Sequence, residues 1–105
     1  MKYALMAQVE FSTKANRDNV SQEVKDKIAS KMLWKDKTIF DYQSEAGNPS
    51  NDIVLRFDGK ADRDELATYL KDRIDKIPAL RGRVLTHDCY HDEIPSKPCG
   101  ANQEI

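Results

Sequence analysis

Hydrophobic periodicity switches along the chain in the order β-α-β-β-α-β, which predicts a small α+β domain. Three observations carry this prediction. The opening segment KYALMAQVEF places apolar residues at every second position. Two later segments, one from Val20 and one from Leu66, repeat theirs at every third or fourth position. Between these helical patterns TIFDYQ and DIVLRF alternate again, separated by a loop rich in Gly, Asn, Pro and Ser.

In the first strand Tyr3, Leu5, Ala7, Val9 and Phe11 share one face, and Lys2, Ala4, Met6, Gln8 and Glu10 the other. The strand is long and its second face opens with Ala4 and Met6, so a central place in a sheet is expected. STKANRDNV then supplies turn and cap residues. Asn19 with Gln22 three positions on matches a capping box, and Asn16 is an earlier candidate. Val20, Val24, Ile28 and Met32 form the apolar stripe of a helix expected to run to about Trp34. Lys27, Lys31 and Lys35 repeat at the same step on the opposite side. Such a lysine row either solvates a helix or binds an anion, and these three are the candidate anion-binding residues.

KTIFDYQSE reads as the second strand and DIVLRFDG as the third, joined across AGNPSN as an antiparallel hairpin. In the third strand Ile53, Leu55 and Phe57 point one way, Val54 and Arg56 the other. The second helix is the clearest element. Asp62 followed by Glu65 suggests its cap, Leu66, Leu70, Ile74 and Ile77 its buried stripe, and Pro78 its end. ALRGR leads into a fourth strand, VLTHDCYHD. Residues 94–105, with two prolines and a glycine and no periodicity, are expected to form a flexible C-terminal tail after a single domain over residues 1–93.

Right-handed β-α-β crossovers and a hairpin between the two halves lead to a ferredoxin-like βαββαβ sandwich: a four-stranded antiparallel sheet with two helices on one face. The expected core is Leu5, Val9, Val24, Ile28, Leu55, Phe57, Leu66, Leu70 and Ile74. The uncovered sheet face would then carry Met6, Gln8, Val54 and Arg56, beside Ala4 and Glu10, with Ile39 a further candidate. That mixture of apolar and polar residues resembles a non-obligate interface.

Composition bounds the function. Seventeen basic and 18 acidic residues give a net charge of −1, so no overall field attracts polyanions. The longest apolar run near the start is Ala4–Ala7, too short for a signal-peptide core or a membrane span, so a soluble cytoplasmic protein is expected. No GxGxxG, GxxxxGK or GxSxG pattern occurs among the four glycines. The leading expectation is therefore a non-enzymatic module that binds another protein, or a second copy of itself as a dimer, through the open sheet face. A small ferredoxin-like enzyme or a metal-binding protein is the alternative. RNA binding comes third, because Tyr3, Phe11 and Phe57 fall on the helix-facing side and no RNP-type run is present.

The metal alternative rests on THDCYHDE, residues 86–93, the one stretch dense in reactive groups. On a strand, His87, Cys89, His91 and Glu93 share a face, with successive members roughly 6–7 Å apart. His-x-Cys-x-His offers the nitrogen and sulfur donors that zinc or another transition metal prefers, and Gln8 or Glu10 on the first strand could complete the set. The simpler reading is the polar end of a strand, with no cofactor and no assigned catalytic residue. Cys89 and Cys99 are the only thiols. In the cytosol both are expected to stay reduced, a disulfide between them being the less common outcome.

Overall fold

The computed structural model describes residues 2–29, 38–90 and 99–105. Over them the chain forms β1 (Lys2–Glu10), α1 (Lys14–Ala29), β2 (Thr38–Gln43), β3 (Pro49–Phe57), α2 (Lys60–Lys76), β4 (Arg81–Cys89) and β5 (Gln103–Glu104). The strands make one antiparallel sheet in the order β2-β3-β1-β4-β5. Over the described residues the molecule is thus a small mixed α+β domain with two helices and five strands. The fifth strand departs from the expected four. Its two residues come from the tail, which the sequence leaves without structure because a two-residue pairing has no periodicity to read.

The core lies on the odd-numbered face of β1. Leu5, Ala7 and Val9 pair there in register with Leu55, Ile53 and Asn51 of β3 and with Thr86, Val84 and Gly82 of β4. Val20, Val24 and Ile28 of α1 and Leu66, Leu70 and Ile74 of α2 close over that face as one apolar cluster. All nine residues expected in the core are buried. Each fully buried Leu or Phe contributes roughly 1.5–3 kcal/mol relative to an exposed position. Gly82 lets α2 lie close against β4: a Cβ placed there would stand 2.9 Å from Ile74 Cγ2.

Both helix starts differ from the sequence expectation. α1 begins at Lys14 rather than near Val20, because the Thr13 hydroxyl accepts the Asn16 amide at 3.2 Å. Arg17 secures this extra turn by donating to the Tyr42 carbonyl at 3.1 Å. α2 begins at Lys60 after Gly59, which offers no side-chain cap. Asp62 therefore lies inside the first turn, where its charge favours the positive end of the helix dipole. In β2 the expected position of Ile39 is also corrected. Ile39 faces Ile53 and packs on the core, so Phe40 and Tyr42 stand on the open face instead. Among the described residues, no helix is long and apolar enough to cross a membrane.

Candidate metal centre

β4 holds its alternation to its end. His87 lies opposite Ala4 and Cys89 opposite Lys2, on the sheet face turned away from the helices, where Ala4 and Cys89 are nonetheless buried, while Asp88 lies opposite Tyr3 on the helix side. The chain then returns along the outer edge of β4. The Gly100 amide donates to the Asp88 carbonyl at 2.9 Å, Gln103 and Glu104 pair with Thr86 and Leu85, and the Ile105 amide donates to the Val84 carbonyl at 3.0 Å. This return sets Cys99 beside Cys89, with the two sulfurs 3.3 Å apart and no disulfide between them. One donor atom from each of His87, Cys89 and Cys99 lies within 4.8 Å of the others.

Those separations suit a shared ion. Two thiolates at about 2.3 Å from a tetrahedral metal stand about 3.8 Å apart, so the sulfurs need open by only about half an ångström. Cys89 is buried and Cys99 lies at the surface. His87 Nδ1 is buried without a hydrogen-bond partner among the described residues. Such an atom ordinarily costs about 1–3 kcal/mol, and a buried imidazole nitrogen without a proton partner is the form in which histidine ligates metal.

The backbone beneath these donors is held by Arg63 of α2, only 4% exposed. Its Nη1 donates to the His87 carbonyl at 3.1 Å and to the Ala4 carbonyl at 3.4 Å, bracing two paired strands from below. Asp64 at 2.7 Å and Asp88 at 3.7 Å balance its charge, and its guanidinium lies 5.5 Å from the centre of the Tyr3 ring. A cavity of about 440 Å³ opens beside it, lined by Lys60, Thr86, His87, Asp88 and Gln103 among others.

The sequence candidates distribute as follows. His87 and Cys89 are adjacent on one face, whereas His91 and Glu93 lie outside the described residues. Gln8 and Glu10 do not complete the centre. They stand toward the opposite end of β4, with Gln8 accepting from Arg83 at 2.8 Å and Glu10 opposite Arg81. Cys99 is the donor that sequence reasoning weighed only as a disulfide partner. Its ten-residue separation from Cys89 was the available signal. Arg63 carried no signal, since nothing in DRDEL marks it as buried.

Lys27 lies over the Tyr69 ring at 4.1 Å, while Lys31 and Lys35 lie outside the described residues. Beneath Lys27, Glu23 of α1 accepts hydrogen bonds from Tyr69 at 2.6 Å and from Arg73 at 2.8 and 3.0 Å. Burial pushes the Glu23 carboxyl up, but those bonds and the nearby positive charges outweigh it and leave it below the usual glutamate value. Burial, then the bond to Glu23, pushes the Tyr69 hydroxyl up to about 12. Met6 faces Val54 on one side and Leu85 on the other, with Gln8 next along β1 and Arg56 next along β3.

No family model matches the chain, and no curated protein matches it. Among solved structures it is similar to LarC2, the C-terminal domain of a cyclometallase involved in the synthesis of the NPN cofactor of lactate racemase, in its apo form. The likeness spans all of this chain and 79% of that one, at 9% identity and a TM-score of 0.41. At that distance nothing of that protein carries over to this chain.

Proposed function

We propose that this chain is a small metal-binding domain that holds one transition-metal ion on His87, Cys89 and Cys99 at the rim of a ferredoxin-like sheet. The observation that carries the reading is the convergence of three nitrogen and sulfur donors within 4.8 Å, one of them on a ring whose Nδ1 is buried and, among the described residues, unpartnered. Two thiolates and an imidazole favour zinc or copper(I) over hard ions such as magnesium or calcium. The order β2-β3-β1-β4, with both helices over one face, supports the ferredoxin-like description of the scaffold.

A zinc ion held this way would act as a Lewis acid toward any ligand at a remaining coordination position. The chain's own residues fix the donors. The β1–β4 ladder sets the spacing of His87 and Cys89, Arg63 anchors their backbone, and the β4–β5 pairing returns Cys99. Metal analysis of untagged protein, followed by cobalt titration of the apo form, tests the reading. A stoichiometric metal and a cobalt–thiolate charge-transfer band, lost in both Cys89→Ser and Cys99→Ser, are expected. Absence of both metal and band would refute it.

A second reading, that the open face docks a second copy, is favoured by the apolar row Val54–Met6–Leu85 and by Phe40. Phe40 is 58% exposed and its ring is stacked on Tyr42 at 5.9 Å between ring centres. Exposed apolar patches of this kind mark association surfaces. Light scattering should then find a dimer that Met6→Asp weakens without unfolding the protomer, and a strictly monomeric wild type at millimolar concentration would remove this reading.

A further inference from the structure

The 3.3 Å between the two sulfurs is shorter than the about 3.8 Å that a tetrahedral metal sets between two thiolates, yet longer than the about 2.05 Å of a disulfide. Either state lies within about 1.3 Å of the observed separation, and the two states exclude one another. Cys99 at the surface is open to attack chemistry, whereas Cys89 is buried behind it. That asymmetry is the arrangement of an attacking and a resolving thiol.

We infer that Cys89 and Cys99 are a redox-active dithiol which a small-molecule disulfide of the glutathione class oxidises, and that this oxidation empties the metal centre. The first half stands on the thiol geometry alone, and the second rests on the metal-binding reading. In the first step the Cys99 sulfur attacks one sulfur of the oxidant. A Cys99–thiol mixed disulfide forms, the oxidant's S–S bond breaks, and the departing thiolate takes up the proton that Cys99 gives to solvent. In the second step the Cys89 sulfur attacks the Cys99 sulfur and expels the second small thiol, again with one proton passing through solvent. Two protein thiols are oxidised and one small disulfide is reduced to two thiols. Of the three donors, only the His87 imidazole then keeps its ligating form, too few to retain an ion.

Oxidation also ties the start of the return segment to the end of β4. The closed loop encompasses residues 90–98, and beyond it Gly100, Gln103 and Ile105 already bond to β4.

The experiment treats reduced, metal-free full-length chain with excess oxidised glutathione and follows thiol titration, intact mass and unreduced peptide mapping. Loss of both thiols in a monomer two hydrogens lighter, with a Cys89–Cys99-linked peptide, is expected. Cys89→Ser should instead trap glutathione on Cys99, and Cys99→Ser should give no linked peptide. Thiols that persist in excess oxidant, or that link only between chains, would overturn the dithiol. Cobalt addition separates the two readings. Reduced protein that forms the disulfide but binds no cobalt upholds the dithiol and removes the metal centre. Oxidised protein that still shows the cobalt–thiolate band overturns the switch.

Discussion

Replacing Arg63 by methionine separates what holds the end of β4 from what packs there. Methionine keeps most of the unbranched stem, so little apolar contact is lost. What disappears is the pair of bonds to the carbonyls of His87 and Ala4, at 3.1 and 3.4 Å. A bond from a charged donor contributes about 1.5–3 kcal/mol at good geometry, and the longer one lies at or below that lower end. The pair with Asp64, whose side chain is 53% exposed, adds about 0–1 kcal/mol. Stacking against Tyr3 adds about 0.5–1 kcal/mol. Against this gross sum of about 3–6 kcal/mol stands relief of burying a guanidinium that is 4% exposed, worth several kcal/mol in a dry interior. Here that relief is smaller, because two carboxylates flank the group and it lines an open cavity. A net loss of about 1–2 kcal/mol follows, and with it a several-fold weaker hold on cobalt because the His87 backbone loses its anchor. Urea unfolding of wild type and Arg63→Met with matched m-values measures the first, and competitive cobalt titration the second. An unchanged or raised midpoint would refute the bracing role, and weakened folding with unchanged cobalt affinity would refute its link to the metal centre.

Gly82→Ala should destabilise the domain by about 1–3 kcal/mol, because the new methyl meets the stiff, buried Ile74 side chain at 2.9 Å and this overpacking outweighs the about 0.5–1 kcal/mol gained by restricting the unfolded chain. Ile74→Val in the same background should not restore stability, since the clashing Cγ2 remains, whereas Ile74→Ala should relieve the clash; a neutral Gly82→Ala would show that α2 is free to shift. Leu70→Ala, at a side chain with no exposure, should cost about 2–5 kcal/mol in denaturant melts, and a near-zero effect would place α2 in the wrong register. The Glu23 carboxyl is held below its ordinary value, so its contribution is present above pH 4.5 and is lost as the pH falls through the lowered value. Glu23→Gln should therefore flatten the acid limb of the stability profile, and an acid limb identical to wild type would refute the assignment. Tyr69, raised to about 12, has the opposite sign: its contribution is intact below pH 10 and lost as the pH rises through 12.

The elements whose burial repeats with their own period were legible in the chain. Leu5, Ala7 and Val9 fix the buried face of β1, and Leu66, Leu70 and Ile74 that of α2, because solvent exclusion acts on a face and a face recurs every second or every third to fourth residue. Element ends were less legible. The Asn19 capping box is a sound local signal, yet Thr13 caps α1 because Arg17 finds the Tyr42 carbonyl on a strand 25 residues away. Ile39 and Phe40 are equally hydrophobic to a pattern, and only pairing with Ile53 chooses which one enters the core. The candidate centre divides in the same way. Strand alternation by itself places His87 and Cys89 on one face. Cys99 joins them through the Gly100 and Ile105 amide bonds to β4, and Arg63 reaches them from a helix. Those contacts cross the chain at separations that no local period encodes, so the sequence determined which side chains share an element and the tertiary structure alone decided which ones meet.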